Sequence, residues 1–402
     1  MALWRSTVIV SAMTMLSRVL GLVRDIVLLN VFGAGKDFDT FVVAFRIPNF
    51  FRRLFAEGAF SQAFIPVLTE YKTGRTHAEV QILISRVFGC LMTVMTALTF
   101  IAMVAAPAVL YIYAPGFHAD PEKFDLAVSM FRLTIPYLLF MSLTAFASSI
   151  LNSYGSFASP AFSPVLLNVA MIAGAWWLTP YMAEPIMALG WAVIAAGVLQ
   201  LAIQIPELWH KKLLIPPKVD FKHEGVDRIM KLMLPALFGV SVTQINLLLN
   251  TIWASFMQDG SVSWLYSAER MTELPLGLIG VAIGTVILPA LSTRHAEQDM
   301  SKFRGMMDWA AKVIVLVGVP ASIALFMLST PIIQALFQRG QFTIEDTQMT
   351  ALALQCMSAG VISFMLIKVF APGFYAQQDT KTPVRVGLMA VAANAILNVV
   401  FI

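Results

Sequence analysis

The stretch VFGCLMTVMTALTFIAMVAAPAVLYIY, residues 87–113, carries no Asp, Glu, Lys or Arg over 27 positions. A helix needs about 20 such residues to cross a hydrocarbon core ~30 Å thick. Residues 161–183, 186–206 and 384–402 reach or approach the same length. The whole chain agrees with these runs: of 402 residues, 58% are hydrophobic and 12% charged, with a mean hydropathy of +0.78. Soluble domains carry about 25% charged residues, so the solvent implied here is lipid. In lipid the backbone must satisfy its own hydrogen bonds, which leaves helices or closed barrels. Continuous apolar runs, without period-two alternation, select helices. The composition thus predicts an all-α polytopic membrane protein.

Polar breaks divide the chain into eleven candidate spans: 7–32, 37–67, 82–114, 127–152, 161–183, 186–206, 228–258, 262–291, 307–337, 349–374 and 384–402. The first is read as a retained helix, because Ser17 and Arg18 interrupt the N-terminal apolar run and hydrophobicity resumes beyond them. Lys and Arg then set the orientation. The N-terminus and even-numbered connections hold Arg5, Lys72, Arg75, Lys211, Lys212, Lys218, Lys222, Arg228, Lys231, Arg294, Lys302, Arg304, Lys381 and Arg385, against Lys36, Lys123 and Arg339 on the other side. That asymmetry places the N-terminus in the cytoplasm. The basic connection HKKLLIPPKVDFKHEG (210–225) suits orientation and contact with anionic membrane lipid better than nucleic acid.

The two halves look related. Residues 39–68 lie over 263–292, so that Asp39 falls on Ser263, Arg46 on Arg270 and Asn49 on Glu273. LLN at 28–30 matches LLN at 248–250, and YGSFASP (154–160) resembles YAQQDTKTP (375–383). Matches in the same order, at offsets of 220 to 224 residues, indicate an internal repeat. Six spans per half return the chain to its starting side, giving a parallel repeat of two lobes. The expected organisation is an N-lobe at 1–209, the basic linker at 210–225 and a C-lobe at 226–402. On this count Ile402 falls at the end of the fifth span of its lobe, so the C-lobe is expected to lack its sixth.

Ionisable groups at mid-membrane cost at least ~2.5–3.5 kcal/mol and usually face a cavity or a partner. Arg18, Arg24 and Asp25 lie in the first span; Asp39, Arg46, Arg52, Arg53 and Glu57 in the second; Glu269, Arg270 and Glu273 in the eighth. Two readings stand. Arg53 with Glu57, four apart, suits an intrahelical ion pair, and snorkelling or pairing also suits Arg46 and Glu269. Arg18, Arg24, Arg52 and Arg270 suit a central cavity between the lobes. Arginine stays charged at any working pH and binds phosphate bidentately, so such a cavity favours a polyanion such as a diphosphate. Cys90, Cys356 and the five histidines form no metal or catalytic constellation.

SAMTMLSRVLGLVRD (11–25), FGAG (32–35) followed by Asp39, and NFFRRLFAEGAFSQAFIP (49–66) resemble the MurJ (MviN) lipid II flippase family. Residues 261–292 and 368–384 fit the same family, so the resemblance covers essentially the whole chain. It implies a MATE-like fold of two rocking helical lobes, with about eleven of the family's fourteen transmembrane helices present here. It also implies that Arg18, Arg24, Arg52 and Arg270 line the cavity, with Asp39 and Ser263 at substrate-binding positions. Asn49, Glu57 and Glu273 fall at gate or portal positions. The implied activity is passage of lipid II, the polyprenyl-diphosphate-linked peptidoglycan precursor, across the bacterial inner membrane, with no covalent chemistry. Other cell-wall synthesis proteins are further partners that the resemblance suggests. The family's usual length makes this chain read as C-terminally truncated. No cofactor is expected, and without a Walker-type GxxxxGK[ST] the membrane potential or an ion gradient, the ion unidentified, supplies the energy. The rivals are a MATE-like drug exporter or a flippase for another polyprenyl-linked glycan, an intramembrane enzyme that would need a DDxxD-type metal motif, and a scaffold that would leave the arginines unexplained.

Overall fold

The computed structural model describes residues 2–55, 59–277, 281–377, 379 and 381–401, with side chains described except at 2–7, 9, 52–55, 59, 234–245, 247, 281–282, 284–286 and 401. Among the described residues all regular structure is helical. In order the α-helices are α1 (Ala2–Phe32), α2 (Lys36–Phe55), α3 (Ala59–Gly74), α4 (His77–Val104), α5 (Ala106–Tyr113), α6 (Pro121–Thr134), α7 (Tyr137–Ser153), α8 (Ala158–Ala173), α9 (Met187–Ala202) and α10 (Ile205–His210). They continue as α11 (Glu224–Ala254), α12 (Ser261–Pro275), α13 (Val281–Ala296), α14 (Met300–Met327), α15 (Ser329–Phe337), α16 (Ile344–Ala376) and α17 (Lys381–Phe401).

Local chemistry explains where several begin and end. Thr76 and Glu79 form a capping box that starts α4, and Thr343 with Asp346 repeats it at α16. Asp120 caps α6 by accepting from the Glu122 and Lys123 amides, with Pro121 at the first helical position. The continuous span expected over 82–114 is instead broken between Val104 and Ala106. Pro107 has no N–H and cannot serve the carbonyl four residues earlier. That carbonyl, of Met103, accepts from Arg132 Nε at 3.3 Å. The span expected over 307–337 breaks likewise between Met327 and Ser329, just before Pro331.

Helix boundaries make the repeat explicit. The helices His77–Val104 and Met300–Met327 both have 28 residues, starting at 77 and 300 and ending at 104 and 327. Pro121–Ser153 and Ile344–Ala376 are both 33 residues long, starting at 121 and 344. The 31-residue α1 has a 31-residue counterpart in α11. By sequence length, then, α11 opens the second repeat. By packing it lies in the first of two compact units, Met1–Val31 with Lys36–Gln258, the second being Phe32–Gly35 with Asp259–Ile402.

Within the first unit α2 packs on α6 and α7, α8 on α9, and α3 on α7 and α11. Leu28, Phe38, Phe64, Leu83, Phe131 and Tyr137 are fully enclosed there. The basic linker runs along α4: Lys212 carbonyl accepts from Gln81, Pro216 carbonyl from Ser85 Oγ, and Lys218 N–H donates to the Ser85 carbonyl at 3.1 Å. Gly89 permits this, since a Cβ there would meet the Lys218 backbone at 2.4 Å. In the second unit α16 packs against α12, α13 and α14 around Leu291, Ile314, Met365 and Val369.

Seven segments among the described residues are long and apolar enough to cross a membrane: His77–Val104, Pro121–Ser153, Ala158–Tyr181, Met187–His210, Met300–Met327, Ile344–Ala376 and Lys381–Val400. Outside that set fall α1, α2 with α3, α11, and α12 with α13. Three of these four expected spans are where the in-membrane charges concentrate. Large apolar side chains such as Ile101, Leu316, Phe326 and Val400 stand exposed on the spanning helices, as a lipid-facing surface requires.

Candidate functional site

Helical spacing puts Arg18 and Asp25 on one stripe of α1, with Arg24 beside it. Arg18 is exposed. Arg24 and Asp25 are buried, at 7% and 2% exposure. Arg24 donates to Asp25 Oδ1 from Nη2 at 2.6 Å and from Nε at 2.9 Å. From the other side Nη1 donates to Asn168 Oδ1 on α8 at 3.0 Å. Asn168 Nδ2 then donates to the Ser17 carbonyl, also at 3.0 Å. The bonds that Arg24 donates are charge-assisted, roughly twice as strong as neutral ones.

Asp39 sits in the first turn of α2, where the helix dipole favours an acid. Its carboxylate lies 3.2 Å from Lys123 Nζ. The same ammonium stands 4.1 Å above the Phe117 ring. One turn before Asp39, Lys36 pairs with Asp120 at 2.8 Å and Glu122 at 3.2 Å. Asn49 is half-buried on α2, and Arg46 Nη1 donates to Thr251 Oγ1 on α11 at 2.6 Å. The side chains of Arg52 and Arg53, and Glu57 altogether, lie outside the described residues.

The second unit carries the repeat counterparts on α12. Arg270 Nη1 pairs with Glu273 at 2.8 Å, its Nη2 donates to Tyr266 Oη at 3.3 Å, and the guanidinium rests 4.9 Å from the Tyr266 ring centre. Ser263, the counterpart of Asp39, is fully buried. Each of Arg24 and Arg270 therefore has a carboxylate beside it and a polar side chain steadying it. Sequence reasoning missed Asn168, Lys123 and Tyr266 as partners. Asn168 had a signal, being the only carboxamide in the apolar run 161–183.

Residues 28–402 match the family profile described as lipid II flippase MurJ. A protein named "Probable lipid II flippase MurJ" from Vibrio cholerae serotype O1 is 47% identical over 406 positions, covering 99% of this chain and 77% of that protein. "Lipid II flippase MurJ" of Burkholderia cenocepacia is 43% identical over 408 positions, covering 100% and 79%. Among solved structures, a lipid II flippase MurJ in an inward closed conformation superposes with a TM-score of 0.84 at 28% identity, over 98% of this chain and 81% of that one. An inward-facing multidrug resistance MATE family transporter of the MOP superfamily gives 0.74 at 12% identity, over 96% and 87%, a likeness of fold alone.

Long apolar helices with charges held among them, in this architecture, define a multi-pass helical membrane transporter of the MATE-like fold. The chain belongs to the lipid II flippase MurJ family, the one its sequence motifs resemble, and thus to the bacterial inner membrane.

Proposed function

We propose that this protein is a lipid II flippase working by alternating access of two lobes, residues 1–209 and 226–402, joined by the linker 210–225. Its cargo is the undecaprenyl-diphosphate-linked peptidoglycan precursor, carried from the cytoplasmic to the periplasmic leaflet, with the N-terminus cytoplasmic. The observation that carries this reading is the family match across residues 28–402 of a chain that buries the Arg24 guanidinium among apolar helices. Burial of a permanent charge is costly unless it is paired. Asp25 and Glu273 stand beside Arg24 and Arg270, so each charge is balanced before substrate arrives. A diphosphate offers the same bidentate geometry as a carboxylate with more charge, and exchange of one for the other captures the headgroup. Arg18, Arg24, Arg52 and Arg270 are assigned to that headgroup together with Asp39 and Ser263, and Asn49, Glu57 and Glu273 to the gates. The polyprenyl tail stays in membrane lipid. No bond of the cargo is made or broken, and the membrane potential or an ion gradient drives the cycle.

The test is lipid II translocation in proteoliposomes at matched protein levels. Arg24→Ala and Arg270→Ala are each expected to abolish it. Normal translocation by both would remove the assigned cavity role, and absence of translocation by the wild-type protein would remove the flippase reading.

A further inference from the structure

Asn168 lies within α8, 5% exposed, and both ends of its carboxamide bond to α1. Its Oδ1 accepts from Arg24 Nη1 and its Nδ2 donates to the Ser17 carbonyl, each at 3.0 Å. Guanidinium can only donate and a backbone carbonyl can only accept, so the partners fix which end of the amide faces which. Ser17 and Arg24 are seven residues apart, about two helical turns, so one amide spans the stripe between them. Asp25 also pairs with Arg24, from the next position on the same helix. Asn168 reaches Arg24 from a different helix while holding the α1 backbone two turns away.

From this geometry we infer that Asn168 is a positioning residue for substrate capture: it sets the height and rotation of the Arg24 guanidinium relative to α8, and so the orientation in which Arg24 meets the lipid diphosphate. The inference rests on the flippase reading. A merely structural bond would hold α1 to α8 without regard to cargo. The two roles separate because positioning acts only through Arg24.

The experiment measures binding of fluorescent lipid II to the full chain in nanodiscs, alongside its thermal unfolding midpoint. Asn168→Ala is expected to raise the half-saturating lipid II concentration about tenfold, the low end for a hydrogen bond to a charged group. In an Arg24→Lys background the same substitution should change it less than about twofold. Asn168→Asp keeps the volume and the acceptor but adds a second carboxylate that competes with the diphosphate, so it should raise the half-saturating concentration further than Ala does. An unchanged midpoint of binding in Asn168→Ala or Asn168→Asp overturns the positioning role, as does an equal loss in both Arg24 backgrounds. Should the wild-type protein fail to bind lipid II, the flippase reading and this inference fall together.

Discussion

The Lys123 ammonium lies 3.2 Å from the Asp39 carboxylate, with the two side chains 5% and 1% exposed. Neither group has bulk water to solvate it, and the Phe117 face 4.1 Å away takes up part of the cation's remaining surface. Removing one member of such a pair leaves the other charge buried, which costs far more than the pair itself contributes. Lys123→Met is therefore expected to destabilise the protein by about 3–5 kcal/mol, read as thermal unfolding in detergent. Adding Asp39→Asn should restore most of the loss. A Lys123→Met protein that melts with the wild type would show that the pair carries no such weight.

Asp120 supplies a pH dependence with a defined sign. The hydrogen bond from Lys36, then that from the Lys123 amide, holds its carboxyl below the ordinary carboxylate range. A depressed folded value means the stabilisation is fully present above the unfolded value, about 3.9, and is lost as pH falls through the depressed value. Lys36 is raised, chiefly by its bond to Asp120, so its share persists until pH rises through that raised value. Asp120→Asn keeps an oxygen for the α6 cap but loses the charge. The gap in unfolding midpoint between wild type and Asp120→Asn should stay constant from pH 7 to about pH 5 and close in acid. A gap that survives strong acid would assign the effect to the cap alone.

What the sequence made legible follows from distance along the chain. Apolar runs such as 87–113 needed only their own residues to be read as helices, and the repeat needed only a comparison of two segments. The break at Ala105 was also local, with Pro107 in plain sight, yet the uninterrupted hydrophobicity of 82–114 concealed it. The site is different. Arg24 and Asp25 are adjacent, but Asn168 is 144 residues further on, and Asp39 and Lys123 are 84 apart. Such pairs are made by helix packing, to which hydropathy is blind. Arg46 and Arg270, matched by the repeat, also diverge, for one donates to Thr251 and the other pairs with Glu273. A shared position on a repeat fixes the backbone but not the partner.

Tyr266 holds Arg270 in two ways that substitution can separate. Its hydroxyl accepts from Nη2 at 3.3 Å, and its ring lies 4.9 Å below the guanidinium. Tyr266→Phe keeps the ring and should change lipid II affinity less than about threefold, since that hydrogen bond is long. Tyr266→Ala loses both and should weaken binding about three- to tenfold, corresponding to a partly exposed cation–π contact. Equal losses in the two variants would mean that the hydroxyl alone positions Arg270.

The turn Phe32–Gly35, though it joins α1 to α2, packs with the second unit. Gly33 makes this possible, with φ +70° and a missing Cβ that would otherwise sit 2.7 Å from the Gln341 carbonyl oxygen. An L-residue held there costs about 1–2 kcal/mol in backbone strain alone, and the carbonyl, being backbone, cannot swing aside. Gly35 is the internal control, since a Cβ there meets nothing within 4 Å and its φ is ordinary. Gly33→Ala should thus lower stability by at least about 1–2 kcal/mol, whereas Gly35→Ala should stay within about 0.5 kcal/mol of wild type. Thermal unfolding of the two variants side by side decides the matter, because both lie in one four-residue turn and differ in backbone conformation and in what surrounds the added methyl. Equal behaviour would mean that the Gly33–Gln341 contact does not hold this turn in the folded protein.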